Sequence, residues 1–186
     1  MKIITKTINQ NDYSLTYYGY HILNQLNGNI RYYNLLTNNF EANSIVNGLY
    51  LGSLESSYDY STLKEKKITH IISVLAGYVP PYPDDFNYFV INTLDTEQSN
   101  LSEVFDDCSN FIADAFSEGG NVLVHCAYGR SRSATIVASF LINCYGMDVD
   151  KTISLLKSKR DIVEPNPHYV KQLKAYYKSK YTGDFL

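Results

Sequence analysis

Val124-His125-Cys126-Ala127-Tyr128-Gly129-Arg130-Ser131-Arg132-Ser133-Ala134-Thr135 joins an apolar strand to an apolar helix through a turn crowded with polar residues. The strand side, Asn121-Val122-Leu123-Val124-His125, is a short β-branched run of the buried type. On the helix side, residues 131–145 are long and apolar enough for a buried helix, which Gly146 stops. In an open α/β sheet, ligands collect beyond the carboxyl ends of the strands. A thiol at that point, Cys126, faces the start of the next helix, where unpaired N–H groups and the positive end of the helix dipole converge. Gly129 permits a turn that aims successive N–H groups inward as an anion nest. Arg132 adds a planar fork of donors matched to two phosphate oxygens. Together these groups are expected to depress the thiol pKa and to bind a phosphate with the same donors. Ser133 is placed to donate a hydrogen bond to the sulfur.

Working outward, strand and helix signals alternate. Ser44-Ile45-Val46 and Leu49-Tyr50-Leu51 flank the turn Asn47-Gly48. A short helix is expected over 60–67, then a buried strand at Ile71-Ile72-Ser73-Val74-Leu75. Pro80, Pro81 and Pro83 force a loop before the strand Tyr88-Phe89-Val90-Ile91. Leu101, Val104, Phe105, Cys108, Phe111, Ile112, Ala115 and Phe116 form one helical stripe that Gly119-Gly120 ends. Two further helices follow, one capped by Asp148 and one started by Asn166 and Pro167. The expected fold is α/β, with a mostly parallel central sheet of about five strands flanked by helices. Residues 44–183 read as one domain. Residues 1–43, rich in Asn and Tyr, read as an amino-terminal extension expected to pack on it. Within that extension Leu15, Tyr18, Ile22 and Leu26 recur at helical spacing.

Composition narrows the class. The chain has 186 residues, 45% hydrophobic and 19% charged, which suits a single globular core. No apolar stretch approaches the length needed to span a bilayer, and Met1-Lys2-Ile3-Ile4-Thr5-Lys6 lacks the apolar core of a secretory signal. Neither myristoylation nor prenylation is indicated by the ends of the chain. Three cysteines, an odd count, argue for reduced thiols and a cytoplasmic setting, with the nucleus as the alternative. No Cys/His cluster has zinc-ligand spacing, so no metal site is expected. Cys108, on its apolar stripe, and Cys144, over three turns along the next helix, are expected to be small buried apolar residues. The net charge of -3 conceals an asymmetry. From Asp84 to Glu118 nine residues are acidic and none basic, whereas from Lys151 to Lys180 eight are basic and two acidic. These are either ordinary solvated helix faces or a field that draws anionic substrates to the carboxyl-terminal part.

The full string His-Cys-x-x-Gly-x-Ser-Arg-Ser after an apolar strand resembles the signature loop of the dual-specificity protein phosphatases, within the cysteine-based protein tyrosine phosphatase superfamily, and the chain resembles their small atypical type. The resemblance runs from about Ser44 to Tyr181. Asn47-Gly48-Leu49-Tyr50-Leu51-Gly52-Ser53 resembles the family's opening strand, and Ile68-Thr69-His70-Ile71-Ile72-Ser73-Val74 its next one. Pro165-Asn166-Pro167-His168-Tyr169, followed by Gln172-Leu173, resembles its closing helix.

That resemblance implies a phosphatase acting on phosphorylated protein through a phosphocysteine, with no cofactor. Cys126 would be the nucleophile, Arg132 the phosphate clamp and Ser133 the donor to sulfur. Ala127, Tyr128, Gly129, Arg130, Ser131 and Arg132 would line the phosphate site. A general acid about thirty residues earlier is also implied, and Asp95, in Ile91-Asn92-Thr93-Leu94-Asp95, fits it. On the residues alone a helix-flanking surface carboxylate is the stronger reading of Asp95. Asp84 and Asp85 compete for the acid's role but precede the strand. Arg130 is either extra positive charge at the pocket mouth or an exposed solvated side chain, and Arg160 is a candidate contact for a second phosphate. No nucleic-acid partner and no membrane insertion are expected, and the oligomeric state is not indicated. Two rival functions keep the same loop. The first is an enzyme of this mechanism acting on a phospholipid or an RNA 5′ phosphate, since residues 129–133 also resemble the loop of a mitochondrial lipid phosphatase. Lipid-directed relatives often carry lysines in this loop, and here there are none. The second is a non-catalytic phosphate-binding module, which usually lacks the cysteine, the arginine or the acid.

Overall fold

A computed structural model describes residues 1–8 and 41–182 of the chain. The helical spacing noted at Leu15, Tyr18, Ile22 and Leu26 lies outside the described residues. The strands are β1 (Ile3–Thr7), β2 (Ala42–Val46), β3 (Leu49–Gly52), β4 (Ile68–Val74), β5 (Asn87–Asn92) and β6 (Asn121–His125). The α-helices are α1 (Tyr60–Glu65), α2 (Phe105–Ser117), α3 (Arg132–Tyr145), α4 (Val149–Lys159) and α5 (Pro167–Tyr181). The strands form one sheet in the order β1-β5-β4-β6-β3-β2, parallel throughout except for the β2–β3 hairpin.

The mostly parallel sheet flanked by helices is the expected architecture, with six strands rather than about five. The additional strand is β1, within the segment read as an extension. It pairs with β5 from Ile3↔Tyr88 to Thr7↔Asn92, and Ile8 beyond it is buried. Its periodicity is weak because it is an edge strand with one half-buried residue among exposed ones. The hairpin turn at Asn47-Gly48 places Gly48 at φ 81, a left-handed conformation that glycine adopts without strain.

β6 lies between β4 and β3, so its side chains are covered on both faces. Val122 and Val124 join the core beneath the long helices, and Leu123 joins a second core with Leu63, Phe86 and Tyr88 on the opposite face. α3 runs back across the sheet and is buried from Arg132 to Ile142, with α2, α4 and α5 packed around it. This double burial explains why β6 and α3 read as continuous apolar runs rather than alternating ones.

Phe105, fully buried at the start of α2, meets Tyr176 of α5 edge to face, with centroids 5.1 Å apart. Phe105→Ala should lower stability by about 3–5 kcal/mol, because the surrounding helices collapse only partly into the cavity. Urea unfolding checks this, and a loss below about 1 kcal/mol would mean that the two helices close the gap.

Candidate active site

The carboxyl end of β6 delivers Cys126, and the next five residues turn into α3. Cys126 is 2% exposed and lies at the floor of a cleft of about 460 Å³. Asp95, Tyr128, Arg130, Ser131, Arg132, Glu164 and Asn166 are among the residues lining it. Gly129 sits at φ 69. A Cβ there would stand 2.6 Å from the Gly52 carbonyl oxygen, so the turn requires glycine both for its conformation and for its packing.

The sulfur accepts a hydrogen bond from the Ser133 hydroxyl at 3.1 Å. Burial acts to raise the Cys126 thiol pKa. The Arg132 guanidinium, the Ser133 hydroxyl and the Ser133 and Gly129 amides outweigh it, and the thiol ionises below its ordinary range. Desolvation pushes Cys108 strongly the other way, so Cys126 is distinguished from it by neighbours rather than by burial. Burial also holds His125 down to about 3, so its ring stays neutral behind the loop.

Arg132 is 8% exposed, and its Nη1 donates to the Thr93 carbonyl at 3.2 Å. Its Nε has no hydrogen-bond partner among the described residues and stands 3.6 Å from Asp95 Oδ2. The fork is therefore anchored at one corner and directed into the cleft beside the carboxylate.

Asp95 follows the carboxyl end of β5 and meets the turn after β6. Its Oδ1 accepts from Ser131 Oγ at 3.1 Å and from Asn166 Nδ2 at 2.8 Å. Asn166 uses both ends of its amide, since Oδ1 caps α5 by accepting from the Tyr169 N–H at 3.0 Å. The Tyr169 hydroxyl donates to the Leu94 carbonyl at 3.1 Å, and Gln172 Nε2 donates to the Ser99 carbonyl at 2.8 Å. The loop carrying Asp95 is thus stapled to α5. Asp85 lies instead before β5, where it accepts from the Tyr60 hydroxyl at 2.9 Å, and Asp84 is exposed beside it.

Residues 49–179 match the family model described as dual specificity phosphatase, catalytic domain. The chain belongs to the dual-specificity phosphatase family. It is 41% identical over 145 residues to dual specificity protein phosphatase 1B of Arabidopsis thaliana, covering 78% of this chain and 87% of that one. Mouse dual specificity protein phosphatase 19 is 35% identical over 153 residues, 82% of this chain and 70% of that one. The crystal structure of DUSP15 superimposes with a TM-score of 0.72 at 33% identity, covering 76% of this chain and 90% of that one. The protein is accordingly a phosphatase of the dual-specificity type, a family whose reaction passes through a phosphocysteine.

Three side chains of this phosphatase sit otherwise than their sequence positions suggest. Arg160 does not reach the cleft as a second phosphate contact. It is 6% exposed and donates to the Tyr128 and Gly129 carbonyls from behind. Its position just before the Pro-Asn motif gives no sign of this, because the loop it supports lies 31 and 32 residues away and its other acceptors, Asn43 and Glu41, lie 117 and 119 away. Arg130 is exposed but not free, since its guanidinium pairs with Glu164 across the cleft mouth. Cys144 is exposed rather than buried, because it lies near the end of α3 where the helix leaves the core. Tyr128, 75% exposed, stands at the rim. Asn166 was legible as a helix cap but not as a partner of Asp95. Nothing in a cap motif specifies where the outer edge of the amide points.

Proposed function

We propose that this phosphatase hydrolyses phosphotyrosine and phosphoserine or phosphothreonine in proteins, with Cys126 as nucleophile, Arg132 as phosphate clamp, Asp95 as general acid and base, and Ser133 as the donor that assists sulfur departure. Residues 44–183 form the catalytic unit, and the strand Ile3–Thr7 extends its sheet. The observation that carries the reading is the convergence of a low-pKa thiol, a buried guanidinium and a carboxylate on one cleft.

The Cys126 thiolate attacks phosphorus in line with the ester oxygen. As the S–P bond forms, the P–O bond breaks, and charge spreads over the three remaining oxygens. Arg132 and the N–H groups of residues 127–132 hold those oxygens. Asp95 gives its proton to the departing oxygen, and as a carboxylate it then takes a proton from the water that attacks phosphocysteine. Ser133, already bonded to the sulfur, favours its release as thiolate. A sulfur that must be ionised to act accords with a reducing compartment, cytoplasm or nucleus, as do the free thiols of all three cysteines. Among the described residues no helix is long and apolar enough to cross a membrane.

Asp95→Asn tests the acid. Turnover of a phosphopeptide should fall by about 10²–10⁴, because the leaving alkoxide or phenoxide needs a proton. Turnover of a fluorinated coumarin phosphate, whose leaving group is already a stable anion, should fall far less. Equal slowing of both substrates would make Asp95 structural rather than a proton donor.

A further inference from the structure

The loop that follows Cys126 has its carbonyls bonded outward, one after another. Leu54 N–H donates to the Ala127 carbonyl at 3.1 Å, and Glu164 N–H donates to that of Arg130 at 2.9 Å. The Ser131 carbonyl accepts from the Thr135 N–H and hydroxyl, both at 2.9 Å. The two carbonyls between, Tyr128 and Gly129, are taken by one side chain. Arg160 Nη2 donates to Tyr128 at 2.9 Å and Arg160 Nε to Gly129 at 3.1 Å. A peptide unit whose C=O is held outward presents the opposite N–H inward, so these bonds aim the amides at the sulfur and at a bound phosphate.

Arg160 is itself oriented from the far side. Its Nη1 donates to Asn43 Oδ1 at 2.9 Å, and its Nη2 approaches Glu41 Oε1 at 3.4 Å. Glu41 is fixed in turn by Ser53, whose hydroxyl donates to Glu41 Oε2 at 2.7 Å and whose N–H donates to the Glu41 carbonyl at 3.2 Å. Glu41 and Asn43 lie at the start of β2, 117 and more residues from Arg160 in sequence. The gap between Gly52 and Gly129 leaves no room for adjustment, since a Cβ on Gly129 would come within 3.0 Å of Arg160 Nε.

We infer that Arg160 is a positioning residue of the phosphate loop, and that Glu41 and Asn43, from the segment leading into the sheet, hold it in place. One guanidinium spans four acceptors on two elements, and the reach and planarity of its fork are what a lysine lacks. The inference rests on Cys126 being the nucleophile. Loss of Arg160 would let the peptides at 128 and 129 rotate and turn their N–H groups away from the sulfur, without removing any group that touches substrate.

The test is the pH dependence of Cys126 alkylation by iodoacetamide, followed by mass spectrometry in the wild type, in Arg160→Lys and in the double variant Glu41→Ala/Asn43→Ala. It reads the thiol without turnover. In Arg160→Lys the midpoint should move up by about 1 pH unit, a tenfold loss of thiolate below it. kcat/KM should fall by about 10²-fold, the cost of a misplaced reacting geometry, and equally for singly and doubly phosphorylated peptides. The double variant should move both readouts the same way by a smaller amount, and it decides the matter if Arg160→Lys does not fold. An unmoved midpoint in a folded variant, or a loss confined to doubly phosphorylated peptides, overturns the inference. A wild-type midpoint at the ordinary thiol value would instead overturn Cys126 as the nucleophile.

Discussion

Cys126→Ser should abolish turnover of aryl phosphates and phosphopeptides alike, by on the order of 10⁴-fold or more, because the two-step path is lost outright. The change is nearly isosteric at a buried site, so the melting temperature should hold. What vanishes is an anion that this loop is built to keep. Arg132 and the Ser133 hydroxyl, aided by the inward amides of Gly129 and Ser133, stabilise a thiolate against the cost of burial. A serine hydroxyl in the same place stays protonated and is a poor nucleophile. The pH dependence follows in sign. The thiol pKa lies below its ordinary value, so the thiolate is present above it and activity falls only as pH drops through that lowered value. The same thiolate should make the wild type the target of reversible peroxide inactivation. Cys108, raised by burial, should resist oxidation. Retained turnover in the serine variant would remove Cys126 from the chemistry.

Arg132→Lys should lose about 10²–10³-fold in kcat/KM although the charge is kept, a loss of the size caused by removing one fixed donor to a developing oxyanion. The guanidinium is anchored through Nη1 to the Thr93 carbonyl, which leaves the rest of the fork aimed into the cleft. An ammonium can satisfy Thr93 or reach a phosphate oxygen, but it does not do both in one plane. Inhibition by vanadate or inorganic phosphate should weaken in parallel, since these anions use the same donors. The thiol pKa should rise as well, because Arg132 is the largest of the influences that lower it. Kinetics and alkylation are separate measurements, so near-normal values in both would take Arg132 out of the site.

The loop proposed to hold phosphate can be read in the sequence because it is local. Strand, cysteine, glycine, arginine and helix start all lie within twelve consecutive positions, and backbone geometry does the rest. The layered α/β fold was legible for a related reason. β6 from Val122 and α3 as far as Ile142 are buried, and burial on every face leaves largely apolar runs. The edge strand β1 was missed because an exposed strand need not be apolar, and its pairing with β5 spans more than eighty residues.

Groups that depend on distant segments meeting could not be read in the same way. Only resemblance singles out Asp95 among several carboxylates in the sequence, and its contacts with Ser131 and Asn166 join residues 36 and 71 positions away. Arg160 is the sharper instance. By sequence it is one cation in a basic run beside a Pro-Asn motif. The tertiary structure buries it behind the loop, where its donors are used on Tyr128, Gly129, Asn43 and Glu41. The sequence by itself determined which residues can hold a thiolate and a phosphate, because that chemistry is written in side-chain types and one short turn. Only the tertiary structure decided which charged groups face the cleft and which support it from behind, because a side chain's role depends on the acceptors that folding brings within reach of it.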